Sequence, residues 1–131
     1  MLRVTPRLDD ELEKLIHRII GCCIRVRCEL GPGLLEKIYV RAICLELAAE
    51  ELGFETESPV DVIYRGIVLC QQRLDIVVEG KVLLEVKAIE RLAPVHQAQV
   101  MCYLRVSRLK VGLLMNFNVA VLPDGLRRVV L

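Results

Sequence analysis

The stretch RLDIVVEGKVLLEVK, residues 73–87, constrains this chain more than any other. Two apolar runs flank Glu79-Gly80, and side chains alternate faces along a strand, so the pattern predicts a β-hairpin. Leu74, Ile76 and Val78 alternate with Asp75 and Val77. On the return, Val82, Leu84 and Val86 alternate with Leu83, Glu85 and Lys87. The loop length decides which of these sets share a face. A two-residue turn at Glu79-Gly80 pairs Val78 with Lys81 and sets Asp75 opposite Leu84, which mixes apolar and charged residues on both faces. A three-residue loop, Val78-Glu79-Gly80, pairs Val77 with Lys81 and Leu74 with Leu84. The apolar sets then coincide on one face, and Asp75, Glu85 and Lys87 coincide on the other. Burying one face penalises a one-residue slip, so the odd loop is expected.

The rest of the chain supplies partners for that hairpin. Residues 8–29 read as an amphipathic helix: Leu12, Leu15, Ile16, Ile19, Ile20 and Cys23 follow one helical face, and Asp9, Asp10 and Glu11 suit its positive end. Gly31-Pro32-Gly33 breaks it. A second helix is expected over 34–52, apolar around much of its circumference and stopped by Gly53. Val60, Val62 and Tyr64 mark a strand that turns at Gly66, and a strand over 66–78 follows. A third helix over 93–108 begins with Pro94 in its first turn. A strand over 110–116, a turn at Pro123-Asp124-Gly125 and a short strand over 127–131 complete the order ααβββαββ. This is a mixed α/β single domain spanning residues 1–131.

Composition limits what such a domain does. Hydrophobic residues make up 54% and mean hydropathy is +0.46, which argues against disorder. The longest stretches without Asp, Glu, Lys or Arg, Leu92–Leu104 and Val111–Pro123, run to 13 residues. A membrane-spanning helix needs roughly 20. The opening MLRVTPRLDDELEK has no apolar core of a secretory signal, so a cytoplasmic protein is expected. Cys22, Cys23, Cys28, Cys44, Cys70 and Cys102 form no CxxC pair, and most stand in apolar runs, so they are read as reduced structural thiols. Zinc or redox chemistry at these cysteines is the weaker alternative. The 18 basic and 17 acidic residues leave a net charge of +1, which excludes a nucleic-acid binder recognisable from bulk charge.

Placement must then carry the chemistry. Two carboxylates on adjacent strands, Asp75 and Glu85, repel unless a cation lies between them. Oxygen donors with open positions favour Mg²⁺ or Mn²⁺ over zinc. Such an ion polarises a phosphoryl oxygen and activates water, and the Lys87 ammonium offsets developing charge. The plainer reading is a salt bridge on a solvated sheet face.

Further motifs weigh against that plainer reading. Gly33-Leu34-Leu35-Glu36-Lys37-Ile38-Tyr39 reads GxxExxY, and Gln99-Val100-Met101-Cys102-Tyr103 reads QxxxY. Together with Asp75 and Glu85-Val86-Lys87, in this order over roughly 10–131, the chain resembles the GxxExxY protein family. That family is a branch of the PD-(D/E)XK nuclease superfamily. The resemblance implies a restriction-endonuclease-like fold, with a central mixed sheet of mainly four strands flanked by helices. It implies that Asp75, Glu85 and the Val86 carbonyl hold Mg²⁺ (or Mn²⁺), that Glu36 completes the acidic site, that Lys87 positions the attacking water, and that Gln99 and Tyr103 support the site. The activity implied is phosphodiester hydrolysis of DNA or RNA. The alternative is a non-catalytic binding or assembly module on the same fold.

Several residues read more plainly. Tyr39 is expected in the core with its hydroxyl paired, and His96 is expected to cap a helix, with a phosphate contact as the weaker alternative. Arg73 shares the Asp75 face by alternation. Arg105, Arg108, Lys110, Arg127 and Arg128 form the main basic stretch, either a solvated face or a contact for phosphates. Near-zero net charge argues against tight, unaided binding to long nucleic acid, and the apolar surplus points to a homodimer or a protein partner.

Overall fold

The computed structural model describes residues 8–131, so the first half of the opening read for a secretory signal lies outside the described residues. Helices α1 (Asp10–Leu30) and α2 (Glu36–Ala49) are followed by strands β1 (Phe54–Tyr64), β2 (Ile67–Val78) and β3 (Val82–Lys87). Helix α3 (Pro94–Ser107), strand β4 (Val111–Asn116), a 3₁₀ turn (Leu122–Gly125) and strand β5 (Leu126–Val130) complete the order. The expected α/β class and the order ααβββαββ both hold.

One mixed sheet runs β1-β2-β3-β4-β5. It has the five strands of the expected order, one more than the four main strands that the resemblance implied. Only β3 and β4 pair in parallel, and α3 provides the crossover between them. The helices divide between the two faces. Ile16, Ile19, Cys23, Tyr39, Ile43 and Leu47 pack from α1 and α2 against Ile76, Val78, Leu84, Val86, Leu113 and Met115. Val100, Tyr103 and Leu104 pack from α3 against Leu74, Val77, Leu83 and Leu114. The side chains of β3 therefore face helices on both sides, which accounts for its near-continuous apolar run.

Local chemistry sets the boundaries. Asp9 caps α1, its carboxylate accepting from the Leu12 N–H at 2.9 Å. Tyr39 closes the α1–α2 turn: its hydroxyl donates to the Gly31 carbonyl at 2.6 Å and accepts from the Leu34 N–H at 3.1 Å. Its ring stacks on Phe117 with centroids 4.7 Å apart. Helix α2 stops three residues earlier than expected because Glu51 itself takes the left-handed conformation (φ 58°), before Gly53 is reached. Strand β1 starts six residues before Val60, because Phe54, Glu55 and Thr56 pair with Val78, Val77 and Ile76.

The hairpin differs in register from expectation. Val78 pairs with Val82, Val77 with Leu83 and Ile76 with Leu84, so the three-residue loop is Glu79-Gly80-Lys81. The odd loop length stands, but Val77 opposes Leu83 rather than Lys81. Glu79 (φ 53°) and Gly80 (φ 64°) both sit in the left-handed region, which makes Glu79 part of the turn itself. The apolar set also divides. Ile76 and Val78 join the α1–α2 core, whereas Leu74 joins the α3 core. The switch falls opposite Glu57, whose φ of 52° leaves a gap in the β1–β2 ladder between Thr56↔Ile76 and Ser58↔Leu74. Arg73, beside Leu74 and paired with Pro59, consequently alternates away from α3 and not toward it.

All six cysteines are free thiols. Cys22 and Cys23 are buried and Cys44 is half-buried, but Cys28, Cys70 and Cys102 are exposed, so the apolar-run reading fits only the first three. Among the described residues no helix is long and apolar enough to cross a membrane.

Candidate active site

The β2–β3 ladder ends at Ile76↔Leu84. Beyond that pair, side chains take over from backbone. The Asp75 N–H donates to Glu85 Oε1 at 3.2 Å, and the Val86 N–H donates to Asp75 Oδ2 at 2.8 Å. The two carboxylates thus splice the end of the hairpin, each satisfying an amide of the opposite strand. Buried amides need such partners, and this explains why two acids are tolerated beside an apolar core.

Glu85 is 4% exposed and, with Asn116, one of two buried charged or amide side chains among the described residues. Burial first, then the Asp75 charge, pushes the Glu85 carboxyl up to about 8; a side-chain hydrogen bond with Asp75 adds to the rise. The bond from the Asp75 N–H and the Lys87 ammonium pull the other way but do not win. At neutral pH Glu85 keeps its proton in the metal-free protein.

Helix α3 covers this face. Lys87 Nζ, at the end of β3, donates to Gln99 Oε1 at 3.4 Å. Tyr103, one turn further along α3, donates its hydroxyl to Gln72 Oε1 at 3.3 Å. Burial, then the Glu85 and Asp75 charges, raises the Tyr103 pKa, so its hydroxyl stays protonated as a donor. The face is therefore partly covered, with Gln72, Asp75, Lys87 and Gln99 half-buried. Among the described residues Lys87 forms no ion pair with either carboxylate. This removes the plainer salt-bridge reading.

Glu36 stands apart. It opens α2, is exposed, and lines a surface cavity of about 430 Å³ with Leu34, Leu35, Lys37 and Ala88. That places it beside the residue following Lys87. Among the described residues no three His, Cys, Asp or Glu side chains gather as a metal cluster, so Glu36 is not assembled with Asp75 and Glu85 in this geometry.

His96 caps α3: its Nδ1 accepts from the Ala93 N–H at 2.8 Å. Two residues escape the sequence reading. Gln72 anchors Tyr103, and only its position three residues before Asp75 hints at it. Asn116, 1% exposed, accepts from the Ile89 and Asn118 N–H groups and donates to the Ile89 carbonyl at 2.9 Å. It fixes the chain just after Lys87. An Asn closing an apolar strand is the signal that could have pointed to it.

A mixed sheet with helices on both faces carries an acidic pair and a lysine at the end of its β2–β3 hairpin, an α/β arrangement consistent with the fold that the resemblance implied. A family model described as the PD-(D/E)XK nuclease superfamily matches residues 13–129, and the chain belongs to that superfamily. Its nucleases typically use divalent metal ions. No curated protein and no solved structure matches the chain.

Proposed function

We propose that this protein is a metal-dependent nuclease of the GxxExxY branch, hydrolysing phosphodiester bonds of DNA or RNA by attack of an activated water, with residues 1–131 as one nuclease-like domain. The observation that carries this reading is the Asp75–Glu85 pair, with Glu85 buried and Asp75 half-buried, in which burial and the Asp75 charge favour a retained proton on Glu85. A cation would displace that proton. The donors are hard oxygens, which fits Mg²⁺ or Mn²⁺. Asp75, Glu85 and the Val86 carbonyl would hold it, and Glu36 would join directly or through water. The ion would supply Lewis-acid stabilisation of the phosphoryl group.

The chain's own groups would do the rest. Lys87, held by Gln99, keeps an ammonium beside the carboxylates, where it orients the attacking water and offsets negative charge as phosphorus is attacked. Tyr103, tied to Gln72, fixes α3 over the site. Free thiols at all six cysteines suit a reducing cytoplasm. The test is Mg²⁺- or Mn²⁺-dependent cleavage of single- and double-stranded DNA and RNA. Asp75→Ala and Lys87→Ala should each lower the rate by about a hundredfold or more. Cleavage that survives both substitutions refutes the assignment.

A second reading, a non-catalytic assembly module, draws on the tip of the β1–β2 hairpin. Ile63, Tyr64, Ile67, Val68 and Leu69 are all more than half exposed there. A monomeric mass in solution together with metal-dependent cleavage would dismiss it.

A further inference from the structure

The basic stretch near the C-terminus does not act as one surface. Arg128 is paired to Glu13 at 2.7 Å, and Arg127 donates to the carbonyls of Asp124 and Leu126. Arg108 and Lys110 instead meet Lys81, from the β2–β3 loop, around a cavity of about 280 Å³. Leu12 and Leu109 supply part of its wall. Among the described residues none of these three cations forms a salt bridge. Two acids, Asp9 and Glu11, also line the cavity; one Asp9 oxygen is engaged in capping α1, and among the described lining residues the cations still outnumber the carboxylates three to two.

Three unpaired cations brought together from two separate segments repel one another and gain from a shared anion. The cavity is too large for a single water and roomy enough for a tetrahedral oxyanion with a substituent. It is also distinct from the acidic pair. Lys81 precedes the first residue of β3, whereas Glu85 and Lys87 lie toward its other end, about 13 and 20 Å further along the strand. We propose that the Lys81–Arg108–Lys110 cavity is a phosphate-binding site, separate from the candidate active site. It would take the phosphate of a free nucleotide or of a nucleic-acid backbone. The proposal does not depend on hydrolysis at Asp75 and Glu85.

The test uses the full chain with a chelator present, so that no cleavage intervenes. Inorganic phosphate is titrated first, by calorimetry or ³¹P NMR at low salt, followed by a mononucleotide and a short single-stranded oligonucleotide. One variant combines Lys81→Ala, Arg108→Gly and Lys110→Ala; glycine suits position 108, where φ is 61°. Lys81→Glu alone, in an exposed loop, is the second variant should the first fail to fold. Phosphate should bind the unaltered protein and bind either variant about tenfold more weakly or worse. Tighter binding of the mononucleotide than of phosphate identifies a nucleotide site. An oligonucleotide affinity whose dependence on salt becomes shallower by roughly 0.7 per lost contact identifies a backbone site. No phosphate binding by the unaltered protein at millimolar concentration, or equal binding by the variants, overturns the proposal. Metal-dependent cleavage without phosphate binding here would sink this inference alone, and binding here without cleavage would sink the nuclease reading alone.

Discussion

Glu85 is where single-residue chemistry matters most. Its folded-state pKa is about 8 against an ordinary 4.5, so the metal-free fold binds the Glu85 proton more tightly than the unfolded chain does. The stabilisation this gives is complete below about pH 4.5 and is lost as pH rises toward 8. Metal-free protein should therefore become less stable across that window, with a slope no steeper than about 1.4 kcal/mol per pH unit from this one proton. Glu85→Gln should flatten the slope. On the proposed reading, millimolar Mg²⁺ or Mn²⁺ should raise the Tm of the unaltered protein at pH 8 but not that of the Gln variant. Thermal unfolding at several pH values, with and without metal, measures both effects. An unchanged slope in Glu85→Gln would show that the acidic pair is not the titrating unit.

At the scale of elements, Gly112 governs how closely α3 approaches the sheet. A Cβ on Gly112 would lie 2.7 Å from Val100 Cγ1, and Val100 is β-branched and cannot swing aside freely. Gly112→Ala should destabilise the protein by about 1–3 kcal/mol. It should also loosen the Lys87–Gln99 and Tyr103–Gln72 contacts, because both are made by α3. Adding Val100→Ala should recover part of the loss, read as the urea midpoint of the double variant against each single one. The sequence revealed much at this scale: periodicity located all three helices, and alternation placed Glu85 and Lys87 on one face. It missed the register because a three-residue loop can begin at Val78 or at Glu79, and composition does not distinguish them. It misplaced Leu74 because the face switch depends on the Glu57 backbone, for which no residue type in that stretch gives a signal. Gln72 and Asn116 were hidden for a different reason. Their roles are set by neighbours far along the chain, and a lone amide in a strand carries no periodicity.

Across the whole molecule, support is uneven. From Ser58 to Leu74 the hairpin of β1 and β2 runs beyond the β2–β3 pairing, so its two strands pair only with each other. Two-stranded ribbons are marginal by themselves, whereas β3 lies between β2 and β4 and under helices on both faces. Amide hydrogen exchange should follow this gradient, fastest near residues 62–70 and slowest in β3 and β4. Equal protection in the two regions would mean that the arm is held by something beyond its own ladder.

The single parallel pairing also has a consequence in time. The hairpin of β2 and β3 can form from neighbouring residues within microseconds. Joining β3 to β4 must wait until the chain from Ala88 to Lys110 has crossed the sheet, and closing so long a loop is entropically slow. Lys87 gains Gln99, and Gln72 gains Tyr103, only once α3 has packed on the sheet. A chain that has formed the β2–β3 hairpin but has not docked α3 thus holds Asp75 and Glu85 together without the Gln99 partner of Lys87.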